Sequence, residues 1–516
     1  MTIHTTRHRM TKIIPFQQSF DKPIPAAVNG SEDYFLERAT LENLNDLLVF
    51  SGLDRIAAEH FVFKAKKDRA SEALKNYSYP IKLSVKDKQK AQEQGVMALR
   101  LALLRKHTGL SYRSMSTQLA LAELYQWFSH INRFTTVSIP GSSKLNYLEN
   151  RLGNTFLESS NTKLISYALQ NSGVGKAVEI AEPIKIDDCF FDPFCLETNI
   201  HFPADWVLLR DASRTLILLV KRIRRHVVNR MEYSVEKMMR QMNNLCIQMT
   251  SAKGKKDAKK KKKNVFRKMK KLVKRIAAHA RKHIEKLYNS REIVELSEEN
   301  ILKIAQEMNA ILTQLPIAIE QGHKRIISEV PVDNKEKILS LYEGDVNIIV
   351  RNKAGKKYEY GNKISLMEQS NGLIIDWSMA QSGSPSDTKL CRTSFDAVFK
   401  TYGQIKSITT DRGCQSKANS NHFEKNNTFD ATCPRSVIEM NEKREDTEFC
   451  KLQKRRSNTE ARISILKNFT GDKLLCKTFE HRKQQLSLSI LTHNIWKISK
   501  MMIEYRISKQ PQRLTG

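Results

Sequence analysis

The sequence has no CxxC pair and no cluster of Cys and His at zinc-ligand spacing, which excludes a zinc site as its organiser. Its eight cysteines are scattered from Cys189 to Cys476. They are too dilute for a disulfide scaffold, so reduced thiols in a cytosolic protein are expected. No run of apolar residues reaches the length of about 18 that a membrane span needs, so no membrane association is expected. The N-terminal segment is basic but lacks the continuous apolar stretch of a secretory leader, which argues against secretion. Acidic residues are also in short supply. There are 55 Asp and Glu against 87 Lys and Arg, a net charge of +32 with a pI near 9.7. That imbalance points to a polyanionic partner, nucleic acid ahead of an anionic membrane. The 516 residues allow two or more domains.

Residues 1–85 are weakly patterned, and Pro15, Pro23 and Pro25 with Asn29-Gly30 predict an extended arm. Residues 86–175 repeat apolar side chains at three- and four-residue spacing and read as an all-α domain. His107-Thr108-Gly109 separates two helices, Ser111 can cap the second, and another begins near Ser142. This pattern suits either a helix-turn-helix DNA reader or a plain helical bundle. Residues 176–204 carry a strand that ends at Asp192. Residues 205–330 read as a helical basic insertion, with Pro316 expected to kink or break its last helix. Its run Lys259, Lys260, Lys261, Lys262 and Lys263 reads as a solvated loop that draws DNA non-specifically.

Residues 331–516 switch to strands, at Val346–Val350, Asn362–Glu368 and Gly372–Met379. A helix from about Thr388 to Tyr402 follows, capped by Asp387, then a strand Ile405–Thr410 and a loop Asn419–Pro434. Helices from about Lys451 to Lys467 and Gln484 to Tyr505 close the chain. The order is that of a mixed α/β domain.

Within the penultimate helix lies QKRRSNTEARISILK, Gln453 to Lys467. Arg456, Glu460 and Lys467 fall at offsets of four and seven from Arg456 or Glu460, on one helix face. Alone this is the pattern of an exposed, ion-paired helix. Two aspartates give it another meaning: Asp192 ends the strand before the insertion and Asp411 ends a later one. If those strands are neighbours, both carboxylates meet at one end of the sheet, where chemistry gathers in open α/β folds. Glu460 can join them from its helix. Three carboxylates so placed need cations, and two Mg²⁺ ions about 3.5–4 Å apart both neutralise them and catalyse phosphoryl displacement. A site without His or Cys ligands suits Mg²⁺, or Mn²⁺ in its place. Asp187 and Asp188, on the same strand as Asp192, are rival first acids.

These segments resemble the bacterial insertion-sequence DDE transposases with an RNase H-like catalytic domain. DPFCLETNIHFPAD with LLRDASRTL is similar to the family's first-Asp block, which implies Asp192 as first acid, five residues before Glu197. GNKISL, GLIIDW and SPSDTKL resemble the following hairpin and helix, and ITTDRG resembles the second-Asp block, with Asp411 as second acid. QKRRSNTEARISILK is similar to the Arg-3-Glu-6-Lys signature, with Glu460 as third acid, and FEHRKQQLSLSILTHNIWKI resembles the C-terminal helix. The family signature often begins with Tyr three residues before the Arg; here Gln453 stands there.

The resemblance implies a five-stranded RNase H-like mixed sheet flanked by helices, interrupted by the lysine-rich helical insertion. It implies a transposase that binds the ends of its element and performs metal-dependent DNA cleavage and strand transfer through Asp192, Asp411 and Glu460. The expected DNA contacts are Arg456, Lys467, Lys363 and the Lys259–Lys263 run. Further expectations are a homodimer on paired ends, with terminal inverted repeats and target DNA as partners, in the bacterial cytoplasm at the nucleoid. The alternatives are a metal-dependent RNase H-like nuclease without strand transfer, and an inactive or domesticated DNA-binding protein.

Overall fold

Helix signals in this chain are strong at their starts. Ser31, Ser84, Ser111, Ser234, Ser297, Ser386 and Ser436 each accept a backbone N–H in the first turn of the helix that follows, an N-cap worth about 1 kcal/mol. The computed structural model describes residues 30–509 apart from 78, 80–81, 132–136, 202–203, 227–233, 253–256, 289–295, 335 and 354–355.

Among the described residues before the sheet the elements are helices: α1 (Glu32–Phe50), α2 (Leu53–Lys75), α3 (Val85–Thr108), α4 (Tyr112–Leu121), α5 (Glu123–Phe128), α6 (Ser142–Leu152) and α7 (Asn154–Asn171). The prolines of the expected extended arm lie outside the described residues, but α1 and α2 correct that expectation from Glu32 onward. They bury Leu41, Leu44, Leu48, Leu53 and Phe61 in one core, α2 packing on α3 and α1 on α16. Arg100 of α3, fully buried, closes the bundle by bonding Asp54, Asn45 and the Phe128 carbonyl. Gly95 permits the approach of α2 and α3, because a Cβ there would stand 2.3 Å from the Ala57 carbonyl oxygen. The turn after α3 and the Ser111 cap form where the sequence places them.

The chain then enters β1 (Asp188–Thr198) and leaves the sheet for α8 (Asp205–Arg224), α9 (Val235–Ser251), α10 (Ala258–Tyr288) and α11 (Glu298–Gly322). These four helices enclose a hydrophobic core of their own, from Leu208 to Leu341. Two expectations change here. The lysine run is the first turn and a half of α10 rather than a loop, and α11 runs through Pro316 without a break. Val265, Phe266 and Met269 directly after the run anchor that helix in the core, which carries the lysines as helix.

The sheet is completed by β2 (Asn347–Lys353), β3 (Lys356–Gln369), β4 (Ile374–Met379), then α12 (Asp387–Tyr402), β5 (Ser407–Thr409), α13 (Lys417–Lys425), β6 (Phe429–Asp430), α14 (Val437–Lys443), α15 (Thr447–Thr470), β7 (Lys473–Leu474) and α16 (Phe479–Lys509). Ser386, not Asp387, caps α12, and α13 and β6 occupy the expected loop after Asn419.

The sheet has seven strands where five are expected. Its path is β2-β3-β1-β5-β6, with β4 also on β3 and β7 also on β1. β1 and β3 pair antiparallel from Cys189↔Gln369 to Glu197↔Gly361, and β5 lies parallel to β1. The extra strands follow from length: β1 and β3 outrun the core, and their far halves take β7 and β2. One sheet face, through Cys189, Phe191 and Met367, joins the core of the N-terminal helices and α16. The other, through Phe194, Leu196, Ile364 and Leu366, packs on Ile463 and Leu466 of α15 and on α16.

Candidate active site

The unbroken β1–β3 register fixes which face each β1 side chain takes, because alternate residues point to opposite sides. Asp192 therefore shares the α15 face with Phe190 and Phe194. It sits in the middle of β1 rather than at its end, since pairing with β3 continues to Glu197. β5 stops earlier, at Thr409, paired with Phe190. Continued by two residues, that parallel register brings Asp192 level with Asp411.

Asp187 and Asp188 sit at the opposite end of β5. Asp187 pairs with Lys406 at 2.8 Å and Asp188 accepts from the Ser407 hydroxyl at 2.7 Å. Glu197 is on the other face of β1 from Asp192, 3.9 Å from Lys473.

Asp411 is held by the turn it starts. Its carboxylate accepts from the Gly413 N–H at 3.0 Å and caps a 3₁₀ turn, Arg412–Cys414. Gly413 leaves room for two carboxylates: a Cβ there would be 2.7 Å from Asp387 Oδ2 and 3.1 Å from Asp411 Oδ1. Arg435 braces the turn from outside, donating to the Arg412 and Gly413 carbonyls at 3.0 and 3.3 Å. Hydrogen bonding to Cys391 and burial push the Cys414 thiol up, so it stays protonated beneath the turn. Lys363, expected at DNA, has its ammonium 2.5 Å from Asp387 Oδ1 and 2.6 Å from the Pro385 carbonyl, and its side chain is 14% exposed. It serves the interior of the site rim.

α15 crosses above β1. Its first half, Phe449 and Leu452, covers Phe190, and its second half, Ile463 and Leu466, covers the sheet near Phe194. Asp192 lies between those two contacts. On the β3 side of the helix, Arg455, Thr459 and Arg462 converge on Glu368, which is fully buried, at 3.1, 2.8 and 3.1 Å. On the β5 side, Gln453 donates from one amide to the Thr410 carbonyl at 3.2 Å and the Ala431 carbonyl at 2.6 Å. Its oxygen accepts from Arg456 Nε at 3.2 Å. Arg456 and Glu460 continue that stripe along the helix. Glu460 is exposed, and Arg456 and Lys467 are half-buried.

The structure places Asp192 on the α15 face of β1, Asp411 two residues beyond the end of the neighbouring β5, and Glu460 exposed on α15. Among the described residues no group of three or more His, Cys, Asp and Glu is gathered closely enough to hold a metal ion. The donor set is nonetheless oxygen-only, and Mg²⁺ is commonly held by one or two carboxylates with water and substrate phosphate completing the shell. Asp192 and Asp411 fit that pattern. Sequence reasoning misses the site roles of Asp387, Arg435 and Glu368. Asp387 is legible only as a helix-capping residue, and nothing in the local sequence marks the other two.

No helix among the described residues is long and apolar enough to cross a membrane, and all eight cysteines are free. Comparisons with curated proteins and with solved structures give no match. A match comes from the family described as the transposase DDE domain, over residues 345–495. That span runs from just before β2 into α16 and includes Asp411 and Glu460, while Asp192 and the helical insertion lie outside it.

Proposed function

We propose that this protein is a DNA transposase of the insertion-sequence type, in which Asp192, Asp411 and Glu460 carry divalent-metal phosphoryl transfer on an RNase H-like sheet. The observation that carries the reading is that β5 lies parallel beside β1, so that Asp411 follows the end of the strand next to the one bearing Asp192, with α15 packed over β1. Two further features support it. The mixed order β4-β3-β1-β5-β6, with β3 antiparallel and β5 and β6 parallel to β1, supports the RNase H-like reading. The family match covers the second and third acids.

In this reading Asp192 and Asp411 hold Mg²⁺, which when bound lowers the pKa of the attacking water or hydroxyl and stabilises the leaving oxygen. The chain's own part is positional. The Asp411 cap, fixed by Gly413 and Arg435, aims one carboxylate at the end of β5. β1 supplies the second from a strand paired with β3 along its length. Glu460, exposed on α15, is the third acid of this reading, and Arg456 and Lys467 flank it for the phosphates. Both hydrolysis at an element end and attack by the freed 3′-hydroxyl use this one site. Pairing of two ends calls for two copies of the chain, and the net charge of +32 suits a protein that resides on DNA.

The test is cleavage of a duplex carrying the element's end. D411N and E460Q should each lose cleavage by about a thousandfold or more while duplex affinity is kept. Full cleavage by either variant would remove the assignment.

A further inference from the structure

We propose that the exposed face of α10 is a track for the backbone of duplex DNA, which the insertion holds independently of sequence. The proposal rests on the transposase reading for the presence of DNA, and on α10 for everything else. α10 contains fourteen Lys and Arg against one acidic residue, Glu285 near its end. The arrangement matters more than the number. Lys260-Lys261, Arg267-Lys268, Lys274-Arg275 and Arg281-Lys282 are basic doublets repeated every seven residues, and all eight side chains are exposed. Seven residues advance a helix by about 10.5 Å and bring the same face back. The doublets therefore form one stripe about 33 Å long, close to the roughly 34 Å of one B-DNA turn. A duplex presents one charge per about 1.7 Å of its axis, so a regular cationic stripe of this length meets phosphates throughout.

Other polyanions fit less well. A helix that lies on a membrane needs its apolar face free to enter lipid, and here Val265, Phe266, Met269, Leu272, Val273 and Ile276 are buried in the insertion's core. Single strands are bound by stacking on aromatics, and the stripe has none between Lys260 and Lys282 on its exposed face, Phe266 being buried. The stripe begins within the lysine run, at Lys260-Lys261, and extends the expected DNA attraction along α10. Lys259 and Lys263 both pair with Glu329, at 3.2 and 2.9 Å, which leaves the repeating doublets further along as the principal charge.

The experiment is titration of a fluorescent duplex with the full chain between about 50 and 200 mM KCl, the range over which counterion release separates binders. The variant R267Q/K268Q/K274Q/R275Q should flatten the slope of log affinity against log salt by about 2 to 4 units, near 0.9 for each phosphate no longer neutralised. The drop in affinity should be equal for two unrelated sequences. The charge-preserving swap R267K/K268R/K274R/R275K should restore the slope, which separates charge from folding. An unchanged slope in the Gln variant with its helical circular dichroism intact would overturn the proposal. So would a drop confined to one sequence, or tighter binding to a single strand or to phosphatidylserine vesicles than to duplex. E460Q should keep the full slope, so failure of cleavage counts against the proposed function and leaves this inference standing.

Discussion

Glu368 decides how α15 is seated. Its carboxylate is fully buried and has Arg455, Arg462 and Thr459 as partners, all from that helix. A buried carboxylate with two guanidinium partners is costly to disturb from one side, because each removal leaves charge without compensation. E368A should lower stability by about 3–5 kcal/mol, read as the shift of a denaturant midpoint, whereas E368Q, which keeps an acceptor, should lose less. Equal stability of E368A and wild type would show the network to be incidental. The same site explains a limit of sequence reading. Arg456, Glu460 and Lys467 attract attention by their helical offsets, but Arg455, Thr459 and Arg462 have the offsets four and seven as well. The two stripes are neighbours on one helix. Spacing cannot say which is inward; that is fixed by Glu368 on a strand 87 residues before Arg455.

At the scale of elements, Gln453 ties α15 to the end of β5. Replacing it with Leu removes two donors from the Thr410 and Ala431 carbonyls and the acceptor of Arg456. Unsatisfied groups of this kind cost about 1–3 kcal/mol each, and the helix that presents Glu460 loses its register against Asp411. Q453L should reduce the cleavage rate constant by about tenfold to a hundredfold, with duplex affinity within about twofold of wild type. A fall in affinity with the rate unchanged would make Gln453 a DNA-binding residue instead. The elements themselves are unevenly legible in the sequence. β3, β4, α12 and α16 follow from period, turn and cap signals. β1 reads as ending at Asp192 because a polar residue followed by Pro193 resembles a strand end. Pro193 is tolerated because β5 has already stopped and β1 has an open edge there. α1 and α2 are obscured by the proline-rich residues before them, although Leu41, Leu44 and Leu48 have helical spacing.

At the scale of the whole molecule, the insertion and the sheet have separate cores, and each contains a histidine kept neutral by burial. In the sheet core, burial pushes His493 down to about 3, and its Nε2 lies 3.1 Å from the Gly372 carbonyl, so Nε2 carries the proton and donates. In the insertion core, burial first and His283 second push His279 down to about 4. Both folded values lie below the unfolded one of about 6.5. Between those limits the unfolded chain binds more protons, so stability is complete above about pH 6.5 and falls as the pH drops. For His493 the loss is about 2 kcal/mol near pH 5. Thermal melting should therefore be level above neutrality and decline steadily from about pH 6.5 to pH 4. H493Q retains a donor for Gly372 and cannot titrate, so its melting temperature should decline less steeply. H279L should flatten the decline in the same way, and because the two histidines belong to separate cores the double variant should show the sum. A wild-type slope in all three variants would mean that acid acts on the carboxylates instead.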